Sequence, residues 1–292
     1  GAAQTYALTF AIMFPLLWLA ASIGAARWLA NQSKVRMSST SVITDLSHEF
    51  FDAHQTSVLK FGDKPHFRLN NGSDIPAIGF GTYKITDKDE AYQSVRSALE
   101  IGYRLIDTAS FYENEEAVGR AIKDSGLSRN EVFITSKLWQ DQQGYAGTVL
   151  ACEESLSKLG VDYLDIFLVH WPVESKLAST WKALEHLMIA GKVKSTGVCN
   201  FEKNHLEELL KVAHIKPAIN QIELHPEFAR NELTDYCAKQ GIQIEVWAPL
   251  ARGAVFENEA LVSIGQAHEK TAGQVALRWS FQKGFVTLPK ST

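Results

Sequence analysis

The chain has 292 residues, 46% of them apolar and 21% charged, with a net charge of −4. This is the composition of a globular protein with room for one large domain or two small ones, and it excludes a collagen-like or disordered chain. Charges of both signs are interspersed, and no basic stripe marks a nucleic-acid surface, so nucleic acid is not an expected partner. The three cysteines, Cys152, Cys199 and Cys237, have no metal-type spacing. Their odd, sparse count fits reduced thiols in a cytosolic setting.

Residues 1–26 carry no charged side chain, and the run 7–26 has about the ~20 residues needed to cross a bilayer. Arg27, Lys34 and Arg36 follow, which would keep the rest of the chain on the cytosolic side. A cleaved signal peptide fits less well, because no Lys or Arg precedes the apolar run. Two readings stay open for residues 1–36: a membrane anchor, or upstream sequence fused ahead of a natural start at Met37. Residues 37–65 show no clear period and read as a linker with one short helix.

From His66 the pattern becomes regular. HFRLNNGSDIPAIGF predicts a hairpin, with Asn71-Gly72 as its two-residue turn. Apolar runs then predict strands at 77–81, 104–107, 132–136, 164–170, 195–199, 218–224, 243–248 and 286–289. Helical patterns predict helices at 89–100, 115–124, 147–159, 179–190, 203–213, 232–240 and 260–283, the last broken near Thr271. The strands are nearly continuous apolar runs, as in a sheet covered on both faces. Strict alternation argues for a parallel sheet, and eight strands suggest a closed (β/α)8 barrel spanning 66–292. A doubly wound open sheet is the rival. Its dinucleotide version is weakened because no GxGxxG follows any strand.

A barrel carries its chemistry at the C-terminal ends of its strands. Asp107 ends the second strand, with Tyr112 in the loop beyond. Lys137 ends the third and His170 the fourth. Cys199 and Asn200 close the fifth, Gln221 lies on the sixth, Trp247 on the seventh, and Lys290 follows the eighth. A free phenol, with a pKa near ~10, is a poor acid at neutral pH. A nearby ammonium favours the phenolate. Lys137, held by Asp107, is therefore expected to lower the pKa of Tyr112 and make it a general acid, while His170 orients a carbonyl oxygen. Such a site protonates oxygen and has no nucleophile of its own, so a reduced nicotinamide is its natural hydride source.

Several motifs, in order, resemble those of the aldo-keto reductases: GFGTYKI, IDTASFYENEEAVG, TSKLW, LDIFLVHWP, GKVKSTGVCNF, NQIELHP, VWAPLARG and LPKST. The resemblance implies a TIM barrel reducing aldehydes or ketones to alcohols with NADPH, NADH being the other candidate. It implies a tetrad of Asp107, Tyr112, Lys137 and His170. It implies cofactor contacts from Gly81, Thr82, Asp107, Cys199, Asn200, Gln221, Trp247, Leu250, Lys290, Ser291 and Thr292. Asn200 and Gln221 would hold the nicotinamide carboxamide, Trp247 would stack on its ring, and Lys290 to Thr292 would meet the ribose phosphate. Tyr83, Trp139 and Trp171 would wall a pocket for flat or apolar carbonyl compounds. The pattern departs at Cys199 and Ala248, where the family usually has serine, and at Trp247, where it has tyrosine. The family continues past LPKST with an arginine that grips the 2′-phosphate, then a helix and a loop. The chain as given is therefore expected to form the barrel without its final helix and to bind NADPH more weakly. The barrel is expected to be monomeric and cytoplasmic, with residues 7–26 as the membrane contact if they are an anchor. The alternative function is a non-catalytic nucleotide-binding barrel, a sensor or subunit of a membrane complex.

Overall fold

The computed structural model describes residues 58–61 and 64–291. The apolar run 7–26 lies outside them. No helix of the described residues is long and apolar enough to cross a membrane. Three short antiparallel strands come first: β1 (Val58–Phe61), β2 (Lys64–Arg68) and β3 (Asp74–Pro76). β2 and β3 are the expected hairpin, but its turn is not the two-residue Asn71-Gly72: Leu69 N donates to Ser73 O at 2.8 Å and Gly72 N to Leu69 O at 3.0 Å, so Asn70, Asn71 and Gly72 (φ 85°) form a three-residue loop. β1 falls inside the expected linker, where Phe61 pairs with Lys64 across a Gly-Asp dipeptide.

The second sheet has eight parallel strands: β4 (Phe80–Gly81), β5 (Leu105–Asp107), β6 (Phe133–Leu138), β7 (Leu164–Val169), β8 (Val193–Cys199), β9 (Ile219–Glu223), β10 (Gln243–Trp247) and β11 (Val286–Leu288). Helices α1 (Lys88–Glu100), α2 (Glu115–Asp124), α3 (Tyr145–Leu159), α4 (Leu177–Ile189), α5 (Lys203–Val212), α6 (Asn231–Gln240), α7 (Glu259–Ala267) and α8 (Ala272–Gln282) connect them. The first strand was expected over 77–81, yet only two residues form the ladder with β5. The rest of that segment closes the barrel on the other side. Thr287 N donates to Ala77 O at 3.0 Å, Gly79 N to Thr287 O at 2.9 Å, and Gly81 N to Pro289 O at 3.0 Å. Gly79 permits this closure, because a Cβ there would lie 2.5 Å from Leu105 Cγ and 2.7 Å from Leu288 Cδ2.

Side-chain alternation sorts each strand into two faces. On β10, Ile244 and Val246 join the apolar layer under the helices, while Gln243, Glu245 and Trp247 turn the other way. Inside, Leu105, Ile166, Leu168, Ile219, Val286 and Leu288 pack on Phe67 and Ile75 of the small sheet and on Leu69 of its hairpin connection. Each large apolar side chain buried there contributes roughly 1.5–3 kcal/mol. Asn70 Nδ2 to Pro217 O (2.8 Å) and Asn71 Nδ2 to Ser195 Oγ (2.7 Å) fasten the hairpin beneath the barrel. The small sheet therefore stops the bottom, and the chemistry is left to the top. The break expected near Thr271 is real. Thr271 caps α8 in a reciprocal box with Gln274, its Oγ1 accepting from Gln274 N at 3.2 Å and its N donating to Gln274 Oε1 at 2.9 Å.

Candidate active site

The strand ends surround a cleft of about 870 Å³. Lys137 lies beneath it, fully buried, with its Nζ among four oxygens. Asp107 Oδ1 and Oδ2 are 2.7 and 2.8 Å away, Thr108 O 3.0 Å and Tyr112 OH 3.2 Å. Asp107 also accepts from Gln221 Nε2 at 2.8 Å. A buried ammonium is tolerated only with such a set of acceptors. Because the Tyr112 oxygen accepts from Lys137, its own proton is free for another acceptor.

Tyr112 sits on a one-turn 3-10 helix (Ser110–Tyr112) that Glu113 ends in the left-handed region, φ 55°. Asn114 locks this corner. Its Nδ2 donates to Thr82 O (3.0 Å) and Ile85 O (3.1 Å), and its Oδ1 accepts from Thr108 Oγ1 (2.7 Å). The phenol does not sit below its ordinary pKa. Burial pushes it up, Lys137 pulls it down, and burial wins. Lys137 acts in the expected direction, but desolvation outweighs it.

His170 follows β7 and packs edge-on against Trp139 at 5.0 Å and Tyr112 at 5.7 Å. Burial, with Lys137 adding to it, lowers its pKa to about 3. Its Nδ1 is buried without a partner. The ring is therefore neutral at physiological pH and donates through a single N–H. The unfolded chain would bind a proton near 6.5 that the folded one refuses until about 3. The stability contribution of a neutral His170 is thus complete above pH 6.5 and is lost as pH falls towards 3. Urea unfolding should show that loss, on the order of 5 kcal/mol over the window. His170→Asn should flatten it, and an unchanged slope in that variant would refute the assignment.

Asn200 (φ 62°) and Ala248 (φ 49°) take left-handed backbone just past β8 and β10. Such outliers gather at functional walls, where the surroundings hold them in place. Asn200 is a clamp: Nδ2 donates to His170 O at 3.1 Å, and Oδ1 accepts from Trp247 Nε1 at 3.0 Å. Gly81, Cys199, Gln221, Trp247, Leu250, Lys290 and Ser291 also line the cleft. Thr82 does not. It is fully buried behind the wall, where its N and Oγ1 each donate to Asp107 O at 3.0 Å. Thr292 lies outside the described residues.

Tyr83, Trp139 and Trp171 stand at the mouth. Phe111, not among the expected site residues, stacks on Trp139 with centroids 3.8 Å apart and planes at 13°. Arg252, paired with Glu223 at 2.8 Å, and Glu245 in the barrel interior were not expected either. The signal for Phe111 was its place beside Tyr112. For Glu245 it was the inward alternation Gln243, Glu245, Trp247.

Comparison with known proteins decides the family. The model of the Aldo/keto reductase family matches residues 77–292. The chain belongs to that family. The glyoxal reductase of Bacillus subtilis (strain 168) is 51% identical over 228 residues, covering 78% of this chain and 83% of the relative. The 9,11-endoperoxide prostaglandin H2 reductase of Trypanosoma cruzi (strain CL Brener) is 44% identical over 227 residues, covering 77% and 80%. A crystal structure of an aldo/keto reductase from Brucella melitensis superposes with a TM-score of 0.76 at 44% identity, covering 78% of this chain and 88% of that one. This aldo/keto reductase is thus an oxidoreductase on a (β/α)8 barrel. The two named relatives act on different compounds, so the likeness alone leaves the substrate open.

Proposed function

We propose that this aldo/keto reductase reduces aldehydes or ketones to alcohols with NADPH, using Tyr112 as the proton donor. The observation that carries the reading is the buried Lys137 ammonium, 3.2 Å from the Tyr112 oxygen and fixed by Asp107. The cleft suits a nicotinamide dinucleotide. It presents the Trp247 ring, the amides of Asn200 and Gln221, a half-buried Lys290, and a buried Ser291 Oγ that lacks a partner. Trp247, Asn200 and Gln221 would hold the nicotinamide end, and Lys290 with Ser291 the phosphate-bearing ribose. The bound dihydronicotinamide supplies the hydride that adds to the carbonyl carbon.

The protein supplies the rest. The neutral His170 N–H and the Tyr112 O–H orient the carbonyl oxygen. Tyr112 gives that oxygen its proton, and Lys137 stabilises the phenolate left behind. Asp107 keeps Lys137 in place throughout. The aromatic mouth of Tyr83, Phe111, Trp139 and Trp171 sheds water from a flat or apolar carbonyl compound. Glucose-sized polyols would leave hydroxyls facing rings there, so small dicarbonyls and aromatic aldehydes are the favoured classes.

The test is NADPH consumption with glyoxal and with benzaldehyde in parallel. Aldehyde-dependent consumption is the expected result. Failure of both aldehydes, together with no quenching of protein fluorescence by NADPH, would overturn the reading.

A further inference from the structure

Glu245 lies on β10, where the register sets it beside Gln221 of β9. It is fully buried. Gln221 Nε2 donates to its Oε2 at 2.7 Å, and its Oε1 has no partner. The same nitrogen donates to Asp107 Oδ2 at 2.8 Å. Two carboxyl groups therefore hang on one amide NH2. The ammonium of the cluster, Lys137, is bonded to Asp107. The other titratable group acting on Glu245's surroundings is the Cys199 thiol of β8, which burial keeps neutral. Asp107 and Lys137 already cancel. An ionised Glu245 would be a buried charge without a counter-ion, and a carboxyl avoids that state by keeping its proton.

We propose that Glu245 is a positioning residue of the tetrad: protonated in the resting protein, it fixes the Gln221 amide against Asp107 and leaves the Lys137 charge undivided for Tyr112. The inference rests on the reading of Tyr112 as proton donor. Burial and the Asp107 charge push Glu245 up to about 8, against weaker opposing pulls from Gln221 and Lys137. Above that pH a second negative charge joins Asp107 behind Lys137. The phenolate is then less well stabilised, and Tyr112 becomes a poorer acid. Carbonyl reduction should fall through this step, while substrate binding at the aromatic mouth is untouched.

Two measurements on the full chain test this. Infrared difference spectra between pH ~6 and ~10 should show loss of a protonated carboxylic acid C=O band. The band should be missing in Glu245→Gln and retained in Glu115→Gln, which removes the other buried carboxyl with a raised pKa among the described residues. Second, kcat for NADPH-dependent aldehyde reduction should fall by roughly tenfold through a step centred near pH ~8, with KM unchanged, and Glu245→Gln should lack the step. A Glu245 that is protonated but purely structural would give the band without the step in kcat. No band in the wild type overturns the proposal, whether or not the variant folds. The same step in wild type and Glu245→Gln overturns it too. If the band is absent while turnover stays Tyr112-dependent, the role of Glu245 falls and the reductase reading stands.

Discussion

Replacing Tyr112 by phenylalanine should lower aldehyde turnover by roughly two to four orders of magnitude, the usual worth of a positioned general acid. The ring should stay in place, packed against Tyr83 at 5.0 Å and His170 at 5.7 Å. Only the oxygen that accepts from Lys137 is removed, and Lys137 keeps Asp107 and Thr108 as acceptors. Cofactor affinity, read by fluorescence titration with NADPH, should change by less than about threefold. Parallel loss of turnover and affinity would sink the assignment, because it would mean that the tyrosine holds the cleft together instead of donating a proton.

Asp107→Ala is the second large effect, and it concerns stability first. The substitution leaves an ammonium with 0% exposure and no counter-ion. Breaking a buried pair from one side costs about 3–5 kcal/mol, which the urea midpoint would show. Gln221 would lose an acceptor as well. The double variant Asp107→Ala/Lys137→Met removes both charges and should regain much of that stability. It should remain inactive, since nothing then stabilises the phenolate. A double variant less stable than Asp107→Ala would contradict the idea that the unpaired charge is the source of the loss.

Much of this was legible in the sequence because strand alternation and strand-end chemistry are local. Asp107, Lys137 and His170 each end an apolar run, and parallel strands bring such ends to one mouth. What escaped depends on closure. The run at 77–81 looks like an ordinary strand, but its backbone is divided between β5 and β11. Glu245 shares its strand face with Gln243 and Trp247, but that this face points into the barrel is fixed only when the sheet closes. The Tyr112 pKa runs against expectation because a sequence shows neighbours and not desolvation. β1 lies in a stretch without a clear period, and pairing with β2 is what makes it a strand. Thr82 shares a motif with Gly81, yet its bonds to Asp107 O hold it behind the wall.

The bond from Gln221 to Asp107 joins residues 114 apart in sequence. Asp107 meets Lys137 as soon as the second and third barrel strands are side by side, but it meets Gln221 only after the sixth has arrived and the sheet has curled. Long-range pairings of this kind form late, because the chain between them must lose its freedom first. Recovery of turnover during refolding is therefore a clock for the final zipping of the ring. It should lag behind helix content measured in the same sample, and a half-assembled sheet should contain the lysine and its aspartate yet do no chemistry.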